Sequence, residues 1–200
     1  MRVLYIHGIG SGRRGANTVQ WFKKEFPEDA IFSFDIPIEP DRAIQYIKEK
    51  CLELDINAVI GTSLGGFYAM QIPGVQKILI NPAIKAFETV EKIGKGEHKF
   101  FCVRDDGIDT YTIDDAFIAA LRRQYEKFLE VMDEETVAET YAIFGTEDDI
   151  CQYSDLFKKT YRESQMMTEK FGHRMTEEIF KKCFKTMYEK VKKDFDTRKW

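Results

Sequence analysis

The chain has 200 residues, 44% of them apolar and 32% charged, with a formal net charge of −4. That length supports one domain with a substantial core, and the acidic balance excludes a basic nucleic-acid footprint. No apolar run approaches the length needed to span a membrane, and no charged-then-apolar leader precedes the first apolar run, so a cytoplasmic location is expected. The four cysteines, Cys51, Cys102, Cys151 and Cys183, are far apart and lack metal-ligand spacing. They read as reduced, mostly buried thiols.

Arg2–Ile6 reads as a short apolar strand that ends in the turn-rich loop His7–Gly8–Ile9–Gly10–Ser11–Gly12. Thr18–Phe26 is amphipathic, with Val19, Phe22 and Phe26 on one face, and Pro27 closes it. Ala30–Ile36 alternates like a strand, and Pro37 and Pro40 mark a loop. Asp41–Leu54 predicts a helix from the spacing of Ala43, Ile44, Ile47, Cys51 and Leu54. Strand Ala58–Gly61 follows, then a turn at Ser63 and a helix to about Gln71. Lys77–Asn81 is a further strand, stopped by Pro82. This alternation predicts a mainly parallel sheet with helices on both faces.

Residues 84–135 form a less regular insertion, punctuated by Gly94, Gly96 and Gly107. Lys99–Val103 and Thr110–Ile113 could pair as a hairpin, and Asp114–Met132 reads as a helix. An excursion of this length between core strands suits a lid or substrate-pocket element. The sheet resumes at Thr140–Phe144, followed by Gly145–Thr146–Glu147–Asp148–Asp149, a helix over Gln152–Ser164 and a short strand at Met166–Thr168. After the loop Phe171–Gly172–His173, a long helix carries Phe180, Phe184, Met187, Val191 and Phe195 in one stripe. Its basic side chains (Lys181, Lys182, Lys185, Lys190, Lys192, Lys193) read as a solvated face. Without repeats or a low-complexity linker, residues 1–200 are expected to form a single domain. Trp21, Trp200 and the last helix's stripe could serve a homo-oligomer but are more simply core.

The organising stretch is Gly61–Thr62–Ser63–Leu64–Gly65, a Gly-x-Ser-x-Gly turn between strand and helix. Such a turn strains the serine backbone, and glycines are required at Gly61 and Gly65 because strand and helix crowd there. The bland alternative is a tight glycine turn, or a phosphate-binding one. A serine hydroxyl needs a neutral imidazole to take its proton and a carboxylate to orient that imidazole. In this topology they follow in the order Ser…Asp/Glu…His, each on a loop after a later strand. Asp148 and His173 meet both conditions. His7 precedes the serine and His98 falls inside the insertion. Glu147 and Asp149 compete with Asp148, and a solvated acidic turn or a helix N-cap is the alternative reading of all three. The amides of Ile9, after His7–Gly8, and of Leu64 are placed to form an oxyanion hole. Gly8–Gly12 lacks the ending of a P-loop and the spacing of a dinucleotide fingerprint. Phe67, Tyr68, Phe100, Phe101 and Tyr111 are candidates for an apolar acyl site, with core packing as the competing role.

His-Gly after the first strand, Gly-Thr-Ser-Leu-Gly-Gly-Phe-Tyr-Ala after a central one, Asn-Pro-Ala after the next, Gly-x-x-Asp-Asp-Ile and a late Gly-His together resemble an α/β-hydrolase. The short chain and its elbow are most similar to the small bacterial YqiA-like esterases. The likeness spans nearly the whole chain and is weakest over 84–135. It implies an α/β-hydrolase fold and an esterase or thioesterase acting on small or acyl-chain esters without a metal or organic cofactor. It further implies Ser63 as nucleophile, Asp148 as acid, His173 as base, and the Ile9 and Leu64 amides as oxyanion donors. The sequence before His173, Glu-Lys-Phe-Gly, departs from the glycine-rich approach expected there. The expected partner is a small-molecule ester or acyl thioester, with no nucleic acid and no membrane. A serine peptidase or amidase on the same fold, or a non-catalytic binding protein that kept it, are the rival readings. A peptidase would call for a peptide-recognition module that the insertion does not obviously offer, and a binding protein would be expected to lack a triad member.

Overall fold

The computed structural model describes residues 1–197, so the expectation for Trp200 lies outside the described residues. In chain order the elements are β1 (Arg2–Ile6), α1 (Asn17–Glu25), β2 (Ala30–Ser33), α2 (Pro40–Glu53), β3 (Ala58–Thr62), α3 (Leu64–Met70), β4 (Gln76–Ile80) and α4 (Ala86–Ile93). They continue with β5 (Gly96–Lys99), β6 (Thr110–Ile113), α5 (Asp115–Val131), α6 (Glu134–Ala138), β7 (Thr140–Gly145), α7 (Ser154–Thr160) and β8 (Met166–Glu169). A final helical run comprises α8 (Glu177–Ile179), a π turn (Phe180–Phe184) and α9 (Lys185–Thr197).

Six strands form one sheet in the order β2-β1-β3-β4-β7-β8, and every neighbouring pair is parallel. Parallel strands need crossovers, which put helices on both faces and bury both sides of the central strands. β3 and β4 are accordingly buried along nearly their whole length. Side chains alternate between two cores. Leu4, Ile6 and Val59 pack with α2, α3, α4 and α5, whereas Val3, Tyr5 and Ile60 pack with α1 and the last helices. The second core holds an aromatic group in which Phe22, Phe26 and Tyr188 have ring centroids 4.5–5.1 Å apart. The basic residues of the last helices face outward and pair across elements: Lys182 with Glu169, Lys185 with Glu25, and Lys192 with Glu28 and Asp29. Among the described residues no helix is long and apolar enough to cross a membrane.

The chain runs from β1 to β2 on one side and then returns to place β3 on the other. Sheets of this kind bind ligands where the strand order reverses, beyond the strands' carboxyl ends. Here that position lies between the ends of β1 and β3, in register through Ile6 and Gly61.

The insertion differs from expectation. Its hairpin pairs Gly96–Lys99, rather than Lys99–Val103, with Thr110–Ile113. Residues 100–105 are taken up by contacts to the loops after β1 and β2: the Phe101 amide donates to Gly10 O (2.7 Å), Arg104 Nη2 to Ile36 O (3.1 Å), and the Asp105 amide to Asp35 Oδ2 (2.6 Å). The insertion also contains α4, whose Ala86, Phe87 and Val90 are buried, in a segment read as irregular. The helix expected over Gln152–Ser164 is the shorter α7, and the strand expected to reach Ile36 ends at Ser33.

Candidate active site

Ser63 sits between β3 and α3 at φ 56°, ψ −120°, a left-handed conformation that costs a non-glycine residue energy. The sharp turn is sustained by glycines. A Cβ on Gly61 would lie 2.7 Å from the Gly65 carbonyl carbon and Gly66 Cα, and one on Gly65 would press on the Ile6 and His7 carbonyls at the end of β1. Gly8 is constrained less severely, since its Cβ would meet Ser63 Cβ at 3.1 Å. The end of β1 therefore passes directly beside the serine.

Of the three consecutive acidic residues after β7, Glu147 and Asp149 are exposed and Asp148 is 2% exposed. Asp148 Oδ2 accepts from His173 Nδ1 at 2.9 Å, while Oδ1 accepts from the amides of Ile150 (2.8 Å) and Cys151 (3.0 Å). Burial alone would raise this carboxyl's pKa; the bond from His173 and the two amides outweigh it and hold the group below its ordinary value. A lowered carboxylate contributes stability that is complete above its unfolded pKa of about 3.9 and is lost as pH falls through the folded value. With Nδ1–H directed at Asp148, the Nε2 face of His173 is left as the proton acceptor.

Ser63 and His173 line one cleft, of about 410 Å³, together with Gly8, Ile9, Ile150 and Arg174. The Ser63 Oγ contact is Cys151 Sγ, at 3.9 Å. Burial, reinforced by the Asp148 charge, pushes the Cys151 thiol up to about 12, so it is a proton-bearing neighbour and not a thiolate. Donor atoms of Asp148, Cys151 and His173 lie within 4.8 Å of one another, the composition of a soft-metal site. Both oxygens of Asp148 are already engaged in hydrogen bonds, however. All four cysteines are free.

Two residues that sequence reasoning left without a site role position the loops. His7 Nε2 accepts from the Ile36 amide (3.2 Å), which places the ring proton on Nδ1, 2.9 Å from Gly8 O. That bond orients the peptide unit whose other end is the Ile9 amide. Burial is the main cause of a lowered His7 pKa, so the ring stays neutral and its contribution to stability fades as pH drops below about 6.5, where the unfolded chain takes up the proton.

Asn81, fully buried at φ 43°, ends β4. Its Oδ1 accepts from the Gly145 amide (2.7 Å), and its Nδ2 donates to the Gly172 (3.0 Å) and His173 (3.1 Å) carbonyls. One side chain thus ties the loop after β7 to the loop carrying His173. The Glu147 amide, bonded to Phe171 O at 3.1 Å, adds a second tie. These contacts hold the His173 loop in place of the glycine-rich approach that the sequence lacks. Replacing Asn81 by alanine strands buried partners and is expected to destabilise the protein by about 3 kcal/mol, read from urea unfolding midpoints. The only hint in the sequence was an asparagine before Pro82; its partners are 64 to 92 residues away.

The aromatic candidates divide. Tyr68, Phe100 and Tyr111 line a narrow slot beside Ile9 and Leu64, Phe101 stands 71% exposed on the cleft rim, and Phe67 is wholly core. His98 sits on the β5–β6 hairpin, bonded to Gly94 O at 2.9 Å and stacked on Tyr111.

A family model described as an uncharacterised protein family (UPF0227) matches residues 2–187. No curated protein matches this chain in sequence. Among solved structures, it is similar to a monoacylglycerol lipase of Paleococcus ferrophilus, with TM-score 0.68, 14% identity, and 95% and 93% of the two chains covered. It is also similar to mouse alpha/beta hydrolase domain-containing protein 10 (TM-score 0.67, 16% identity, coverage 96% and 90%). Est1E from Butyrivibrio proteoclasticus gives TM-score 0.67 at 15% identity, with coverage of 95% and 87%. At these identities the likeness establishes the α/β-hydrolase fold, as the elbow and strand order led one to expect.

Proposed function

As the chain belongs to the UPF0227 family, the YqiA-like group, and has the α/β-hydrolase fold, we propose that it cleaves carboxylic esters or thioesters through an acyl-enzyme on Ser63. The observation that carries this reading is the meeting, in one cleft, of a serine in a left-handed elbow with an imidazole held by a buried carboxylate at 2.9 Å.

Ser63 Oγ attacks the substrate carbonyl carbon and gives its proton to His173 Nε2. Asp148 stabilises the imidazolium through the Nδ1 hydrogen bond without itself taking the proton. The oxyanion rests on the amides of Ile9 and Leu64. The Leu64 amide lies in the first turn of α3 and has no intrahelical acceptor, and His7 holds the peptide plane of the Ile9 amide. His173 then protonates the departing alcohol or thiol, and the carbonyl reforms as the acyl-enzyme. A water that loses its proton to the same nitrogen attacks this ester, and Ser63 leaves with the proton returned to Oγ.

The test is a fluorophosphonate probe with the adduct mapped by peptide mass spectrometry. Labelling of Ser63 that is lost in His173→Ala is the expected result; an unlabelled, folded wild type would refute an activated serine. Asp148→Asn keeps the shape but can no longer hold the imidazole tautomer as an anion. It should lower kcat for a 4-nitrophenyl ester by about 10³–10⁴-fold, with KM little altered.

A further inference from the structure

Beside the two amides assigned to the oxyanion lies a slot that the proposed reaction has not yet used. Its walls are Ile36, Ile38, Leu64, Phe100, Tyr111 and Phe117, with Tyr68 among them, and it opens where Gly8 and Ile9 also border the main cleft. The slot volume is about 30 Å³, against about 410 Å³ for the cleft. A single water needs about 10–15 Å³ by this measure, so the slot suits a narrow chain rather than an aryl ring.

Tyr68 is 3% exposed, and its hydroxyl is one of the few buried side-chain polar atoms without a hydrogen-bond partner among the described residues. It lies one helical turn beyond Leu64, and helical side chains lean toward the N-terminus, which brings the ring back over the Leu64 end of α3. A buried unpaired hydroxyl costs stability that phenylalanine would avoid, so its presence in the wall of a cavity points to a ligand atom.

The slot's charge narrows that atom's chemistry. Arg104 also borders the slot, yet its guanidinium is already paired with Asp106 (2.6 Å) and bonded to Ile36 O (3.1 Å). The wall therefore offers no uncompensated cation for a carboxylate tail. What remains is a largely apolar channel whose polar side chains, Tyr68, Tyr111 and His7, are neutral, and among them the buried Tyr68 hydroxyl is the one without a partner among the described residues.

We infer that this slot takes the acyl tail of the substrate, and that the Tyr68 hydroxyl selects tails carrying a neutral oxygen, such as an oxo group, a few bonds from the ester carbonyl. The inference rests on the proposed hydrolase reading and adds the class of acyl group.

The experiment compares 4-nitrophenyl 4-oxopentanoate and 5-oxohexanoate with the pentanoate and hexanoate esters, in wild type and Tyr68→Phe. Fluorophosphonate labelling of Ser63 and turnover of 4-nitrophenyl acetate are measured in parallel. The wild type should favour at least one oxo ester over its alkyl partner by about tenfold or more in kcat/KM. Tyr68→Phe should bring that ratio near unity while its Tm equals or exceeds that of the wild type. Equal rates for oxo and alkyl esters in the wild type, or a preference that survives in Tyr68→Phe, would overturn the inference while leaving a labelled, active Ser63 untouched. Absence of both labelling and acetate turnover would instead remove the hydrolase reading, and this inference with it.

Discussion

Ser63→Ala is expected to abolish ester turnover and fluorophosphonate labelling while leaving the unfolding midpoint within error of the wild type. The two effects separate for a physical reason. Alanine carries the same Cβ as serine, so the left-handed elbow at φ 56° is no more strained than before, and the only atom lost is an Oγ whose contact is a thiol at 3.9 Å. Chemistry, by contrast, loses the atom that forms the covalent bond, and the fall in kcat should reach about 10³-fold or more. Wild-type turnover in the alanine variant would place the nucleophile elsewhere. The measurement pairs steady-state kinetics on a 4-nitrophenyl ester with urea unfolding of the same preparations.

Gly65→Ala should have the opposite signature, a collapse of stability from adding one methyl group. The new Cβ would stand 2.6 Å from the His7 carbonyl oxygen and the Ile6 carbonyl carbon, and closer still to the Ile6 oxygen. These are backbone atoms at the C-terminal end of β1, a strand held by β2 through Tyr5 and by β3 through Ile6, so they cannot move without disturbing the centre of the sheet. A loss above about 4 kcal/mol is expected, enough to leave the variant largely unfolded or insoluble. Gly74→Ala is the control. That glycine has φ +69° with nothing within 4 Å of its Cβ, so only the left-handed penalty of about 1–2 kcal/mol applies. Similar losses at the two positions would mean that β1 and α3 are not packed as tightly as described.

The two variants probe different layers of one device. Gly61, Gly65 and Gly8 bring three backbone segments together closely enough to hold Ser63 beside the end of β1, and in the proposed reaction that serine supplies the nucleophile. The positioning residues work on the surrounding loops: His7 on the peptide bearing the Ile9 amide, and Asn81 on the loop that carries His173.

By itself the sequence determined the class of fold, the elbow and the order of its partners. Strand-like runs at Arg2–Ile6, Ala58–Gly61 and Lys77–Asn81 alternate with helical spacing, and such periodicity is a local property that needs no tertiary information. The elbow is local only in part: Gly61 answers crowding within the strand–turn–helix itself, whereas Gly65 is required because the end of β1 passes beside α3. Within Glu147–Asp148–Asp149, however, neighbouring side chains diverge, and only packing decided that Asp148 is buried against His173 while the flanking acids face solvent. The roles of Asn81 and His7 were hidden for the same reason: their partners come from separate loops brought together by strand pairing. The hairpin register was likewise displaced because residues 100–105 bond to the loops after β1 and β2, contacts spanning up to 91 residues. The slot and the unpartnered Tyr68 hydroxyl are tertiary in the same sense. An apolar helix face reads alike whether it meets core or cavity, and only the arrangement of its neighbours distinguishes the two.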